Sequence, residues 1–172
     1  MTMPPGLRKF ALTLHLIASI GWIGAVVAYL ALGVAAASSH DTETIRAAWI
    51  AMDLIGWFAI IPLALGALLT GLVMSLGTSW GLFRHYWVLI TLGLTIVATS
   101  ILLLHMPTVS TLANVARGSD GAESGGLGGD LFHAVGGLLV LLLITVLNVY
   151  KPRGLTPYGW RKQHERRVVS PL

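Results

Sequence analysis

Four long apolar stretches, separated by short polar segments, dominate the chain. They run from Phe10 to about Ala37, from Ala47 to about Leu76, from Trp87 to Met106 and from Leu131 to Tyr150. At about 1.5 Å per helical residue, each is long enough to cross a hydrocarbon layer of about 30 Å. A backbone in that solvent must satisfy its own hydrogen bonds, so each stretch is predicted to be a helix. The second exceeds the required length, which predicts tilt, a kink at Pro62 or extension past the membrane. Consecutive spans that run out and back make an all-α, up-and-down bundle of four transmembrane helices the expected fold. Residues 1–150 form the transmembrane domain in this reading, and 151–172 a basic cytoplasmic tail.

The first stretch follows Arg8 and Lys9, as the core of a signal peptide would. It is too long for one, and further spans follow it rather than a soluble domain, so it reads as a retained helix.

Composition supports the pattern. Only 10% of the 172 residues are charged, against 55% hydrophobic. Soluble domains carry about 25% charged residues, so lipid must cover most of this exterior. There is no cysteine, which excludes disulfides, zinc–thiolate sites and thiol nucleophiles.

Charge adds orientation. Of the eleven Lys and Arg residues, all but Arg46 and Arg117 lie in segments 1–9, 77–86 and 151–172. Basic loops stay cytoplasmic, which places both termini there and the other two connections outside, in what is expected to be a bacterial inner (plasma) membrane. The tail residues Lys151, Arg153, Arg161, Lys162, Arg166 and Arg167 read as a topology signal that could also touch anionic headgroups. The net charge of +4 comes with no groove-fitting or stacking element, so nucleic acid is not an expected partner. Gly118–Gly129 reads as a flexible connection. Trp49, Trp80, Tyr86, Trp87 and Tyr150 lie near span ends, where aromatic rings favour the headgroup level.

Ionisable residues inside spans are costly and mark candidate sites. His15 lies inside the first span with Trp22 seven residues on, on one helical face. It reads as a metal or haem ligand, or as a neutral imidazole bonded to a neighbouring helix. His105 closes the third span and His133 opens the fourth on the same side. Adjacent helices bring two imidazoles to one depth, as bis-imidazole haem ligation requires. Gly136 and Gly137 share the His133 face and would leave room for a macrocycle. The alternative is that both rings meet only headgroups and water. His85 follows Arg84 in a short connection and could face His15, with Arg84 or Arg8 near haem propionates. His85 and His105, however, are separated by about 200° on one straight helix. Both can face inward only if His85 is non-helical or the span bends.

Asp53, near the outer end of the second span, could join His105 and His133 around a metal ion, with Met52 and Met106 adding thioethers. Imidazole with sulfur suits copper, and imidazole with carboxylate suits several divalent ions. Asp53 also reads as a partner for Arg46 or a helix-terminal carboxylate, and methionine as packing. His40 and His164 read as solvated. No hydrolase, phosphate-loop or zinc-protease motif is present, and no catalytic residues are assigned.

The run Leu14-His15-Leu16-Ile17-Ala18-Ser19-Ile20-Gly21-Trp22-Ile23-Gly24 resembles the first helix of CopD-like copper-resistance membrane domains and of other small four-helix haem-associated proteins. The segment Gly71 to Met106, including Thr78 to Trp87, and the segment Tyr150 to Gly159 resemble a family of small bacterial integral membrane proteins of unknown function. The resemblance implies a four-helix membrane fold and a haem or copper cofactor. It carries over only His15 and the Trp22-x-Gly24 pattern as a cofactor-facing helix. The chain has fewer methionine and histidine pairs than a copper importer would offer.

Three readings stand at this stage. The leading one is a haem b protein passing electrons across the bilayer or to a quinone, with a quinone or redox protein as partner besides lipid. Its outer haem would sit on His105 and His133, and an inner one on His15, with His85 as the candidate second ligand. The second is copper or other metal-ion handling through His105, His133, Asp53 and Met106. The third is a structural or accessory membrane subunit without a cofactor.

Overall fold

A computed structural model describes residues 3–77, 81–118 and 127–169. The interface placement of Trp80 and the connection 119–126 fall outside these residues. All regular structure among the described residues is helical. Among these residues, four helices are long and apolar enough to cross a membrane, which marks the chain as a membrane protein.

The first is α1 (Pro5–Ser38), opened by Pro5 in its first turn, where a missing N–H costs nothing. The second span is α2 (Thr42–Ile55), a π-helical turn Gly56–Ile60, and α3 (Ile61–Gly77), in one continuous rod. Asp41 caps α2 by accepting from the Thr44 N–H at 3.0 Å. The expected irregularity at Pro62 takes the form of that π turn, in which the Ile61 N–H reaches back to the Gly56 carbonyl. The missing N–H of Pro62 falls just beyond it, where the ladder is already displaced.

The third span is α4 (Tyr86–Gly118), and here the sequence reading is corrected. The helix does not close at His105–Met106 but continues through Pro107 for three more turns. An internal proline costs about 3 kcal/mol. Burial of Val109, Ala113 and Ala116 against the core offsets it. The fourth span, α5 (Leu127–Tyr150), begins one turn before Leu131. It ends with Lys151 in the left-handed region (φ 45°), its N–H donating to the Leu147 carbonyl at 3.0 Å, and Pro152 follows.

Each span packs on its neighbours in sequence, and α5 closes the ring against α1. Two ends are thereby defined. At one, the Met3 N–H donates to the Gly77 carbonyl at 3.0 Å and Tyr86 to Gly154 at 3.2 Å. This is the terminal end. At the other, the loop end, an Arg46 Nη2 donates to the Arg117 carbonyl at 3.2 Å. The largest fully buried side chains, Met52, Met106 and Val109, all lie toward the loop end. Packing is tight there and opens toward the terminal end.

The tail is an ordered element. Residues 157–169 form α6 (Pro157–Val169), capped by Thr156, whose Oγ1 accepts from the Gly159 N–H at 3.1 Å. Thr156 also donates its N–H to the Arg84 carbonyl at 3.0 Å and its hydroxyl to the Phe83 carbonyl. His85 and Leu155 form an isolated antiparallel bridge. The start of α6 is thus clamped to the segment that precedes α4.

Candidate functional site

His15 sits half-buried on the face of α1 that meets α3. Its Nδ1 lies 3.0 Å from Thr70 Oγ1. The Thr70 hydroxyl donates to the Gly66 carbonyl one turn back, at 2.6 Å. A hydroxyl has one proton. With that proton committed to Gly66, Thr70 must accept from His15, so Nδ1 carries the imidazole proton. Nε2 is then the lone-pair nitrogen. The ring lies close over Gly71, where an added Cβ would come within 3.2 Å of Cε1. Only a glycine lets α3 approach this edge of the imidazole without displacing it.

His15 also lines a cleft of about 400 Å3. All four spans contribute: Ser19 and Trp22 from α1, Ala67 and Met74 from α3, Trp87 and Thr95 from α4, Thr145 and Asn148 from α5. Trp22 and Trp87 are buried. Lys151 stands at the terminal end of the lining. The lining hydroxyls of Ser75, Thr91, Thr95 and Thr145 donate to carbonyls of their own helices, as does the Asn148 amide. They present acceptor oxygens without a desolvation penalty.

The expected outer site has a different geometry. His105 and His133 are in direct contact, but their rings stack face to face, with centroids 4.1 Å apart and planes 17° apart. Axial ligands of one haem point a nitrogen at the iron from opposite sides of the porphyrin. Two imidazole faces in contact leave no slot for a macrocycle between them, so the pair does not fit that role. Phe132 stands edge-on to His133, with centroids 6.0 Å apart. Gly136 and Gly137 do face open space, since among the described residues nothing lies within 4 Å of an added Cβ at either.

Asp53 does not join the imidazoles. Its Oδ2 accepts from Arg117 Nη2 at 3.1 Å, and its Oδ1 from Ser110 Oγ at 2.7 Å. Ser110 in turn accepts from Trp57 Nε1 at 2.8 Å. The partner is therefore Arg117 and not Arg46. Met106 turns its thioether against Gly56, with Sδ 2.6 Å from where a Cβ would stand, and acts as packing. Among the described residues no three His, Asp or Glu side chains come together as a metal site. The metal-ligand set His105, His133, Asp53 and Met106 is thus divided by the fold.

His85 lies outside helical backbone, as an inward-facing ring would need, yet neither it nor Arg84 lines the cleft. The His85 ring is 6.4 Å from Trp87. Sequence reasoning missed Trp87, Thr95 and Asn148 as companions of His15. The eight-residue spacing that puts Trp87 and Thr95 on one face of α4 is visible, but which spans share a cavity is not. No family model, curated protein or solved structure matches the chain.

Proposed function

We propose that the protein is a haem b-binding integral membrane protein, in which Nε2 of His15 would hold the iron of a haem bound in the cleft. The observation that carries this is the commitment of Nδ1–H to Thr70, which leaves Nε2 as the lone-pair nitrogen of a ring that lines the cleft. Metal-bound histidines are ordinarily oriented in this way, by a hydrogen bond from the second ring nitrogen. A cleft of about 400 Å3 with an apolar lining is of cofactor size. Bound there, the haem would supply one-electron chemistry. The chain's own residues would ligate the iron (His15), fix the ligand tautomer (Thr70), exclude water (Trp22 and Trp87) and pair a propionate (Lys151).

The reading places both termini in the cytoplasm of a bacterial cell, since the basic segments gather at the terminal end. The cleft then opens near the cytoplasmic leaflet. Electron exchange with a quinone or a redox protein is the activity that follows.

Visible absorption of the purified protein tests the proposal. A Soret band that shifts on dithionite reduction is expected in the natural protein and in His105→Ala and His133→Ala, and is lost in His15→Ala. Absence of haem after expression with excess haem precursor, or an unchanged band in His15→Ala, rejects it. In the first case a cofactor-free subunit, or copper detected by elemental analysis, takes its place.

A further inference from the structure

We infer that the cleft opens sideways into the bilayer between α1 and α5, so that its ligand is admitted from the lipid phase. The inference rests on the cleft proposed above as the cofactor site, and it concerns how that site is reached.

The lining is asymmetric. On the α3 and α4 sides, Ala67, Trp87, Val88 and Thr91 line the cleft and are buried. On α1, Leu12, Leu16 and Ile20 also line it, yet they are 43%, 49% and 67% exposed. On α5, Val149 lines it and is 70% exposed. A side chain that borders a cavity and the exterior at once stands on a rim. Leu12, Leu16 and Ile20 are spaced four apart and form one stripe along α1.

The two rim helices touch closely at the loop end, where Leu131 fills the space in front of Gly33. Toward the terminal end they present no such closure. One turn beyond Ile20 and Leu141 stand Gly24 and Gly137, and among the described residues nothing lies within 4 Å of an added Cβ at either. Glycines in membrane helices commonly allow close packing. These two have no packing partner in front of them.

The rim is aliphatic, with Lys151 at its terminal end. In a membrane such an opening faces acyl chains rather than water. It suits a flat, lipid-partitioned amphiphile with an anionic group at one end, which would pass its apolar edge between α1 and α5 and leave the charge beside Lys151. A water-soluble anion would have to cross hydrocarbon to use this route.

The test compares uptake from two sources. Cofactor-free protein in proteoliposomes is given haem either already dissolved in the bilayer or held in water by albumin. Leu16→Phe/Ile20→Phe narrows the rim. Ile17→Phe is the control, because Ile17 is 61% exposed but lies outside the lining. The rim variant should take up bilayer haem several-fold more slowly than the control. Equal rates in the two overturn the inference, as does faster uptake from albumin than from the bilayer. A second readout does not need haem. Lipids brominated on the acyl chain should quench the fluorescence contributed by Trp22 and Trp87, taken as the difference from Trp22→Phe/Trp87→Phe, and should quench it less in the rim variant. If quenching behaves so but no haem binds, the cofactor assignment fails and the opening stands. If quenching is the same in the rim variant and the control, the opening fails whatever binds.

Discussion

Thr70 accepts a hydrogen bond from His15 because its own proton is held by Gly66. A hydroxyl on α3 therefore sets the tautomer of an imidazole on α1. Thr70→Val keeps the shape of the side chain and removes the acceptor. Loss of an orienting partner of this kind weakens metal affinity by about 10- to 100-fold. The expected outcome is a haem dissociation constant raised by that factor with the helical content unchanged, read by haem titration and circular dichroism. Thr70→Ser should behave as the natural protein.

Asp53 and Arg117 tie the start of the second span to the end of the third. Arg117 is well exposed, so solvent screens the pair. A double-mutant cycle of Asp53→Ala and Arg117→Ala should give a coupling of about 1 kcal/mol, at the upper end for surface pairs. Asp53→Ala alone should cost more, because Ser110 and Trp57 lose the acceptor that ends their chain. Detergent-solubilised thermal unfolding checks both, and neither variant should change haem content. Haem lost in Asp53→Ala while the fold is retained would place the carboxylate in the cofactor site instead.

Gly159 lies against the backbone of Arg84, and an added Cβ would run into that carbonyl. Backbone cannot swing aside as a side chain tip can. Gly159→Ala should cost about 1–3 kcal/mol locally and release α6 from the segment before α4. Hydrogen exchange reads this at the amides of Thr156 and Tyr86, which donate across the joint. Gly24→Ala is the contrasting case, since it meets nothing, and should be neutral or stabilising by about 0.5–1 kcal/mol.

Asp41 caps α2 from outside the spans. Hydrogen bonds from the Thr44 hydroxyl and N–H hold its carboxyl below the usual carboxylate range. A depressed value means that the cap stabilises the helix above the unfolded pKa and is lost as pH falls through the folded one. Protection of the Thr44 amide should therefore be full at neutral pH and decline below about pH 4. Asp41→Asn, which accepts without ionising, should make that protection independent of pH.

The spans were legible because hydrocarbon leaves a helix little choice, and their apolar runs are uninterrupted. Their ends were less so. The third stretch was ended at Met106, yet apolar positions 109, 113 and 116 continue the helical period beyond Pro107, and that signal outweighs one missing hydrogen bond. The Thr156-Pro157 pair is a helix-start signature inside what read as a plain basic tail. His15 stood out as a polar residue in an apolar helix, and its depth was visible. Its partner was not, because spacing along one chain does not say which hydroxyl of a second span lies opposite. The meeting of His105 with His133 followed from adjacency of consecutive spans, but whether two rings stack or point at a common centre depends on side-chain torsions that residue types do not specify. Asp53 was read against Arg46, nearby in sequence. Arg117, the other cation at the loop end, became its partner only through the extension of α4.

The orientation of His15 is tested most directly by replacing the ring and returning it. His15→Gly, titrated with haem in detergent, should show no ligand-shifted Soret band, and free imidazole added to the cavity should restore the natural position and reduced-minus-oxidised difference. A natural spectrum in His15→Gly before imidazole is added would contradict the assignment of this nitrogen as the ligand.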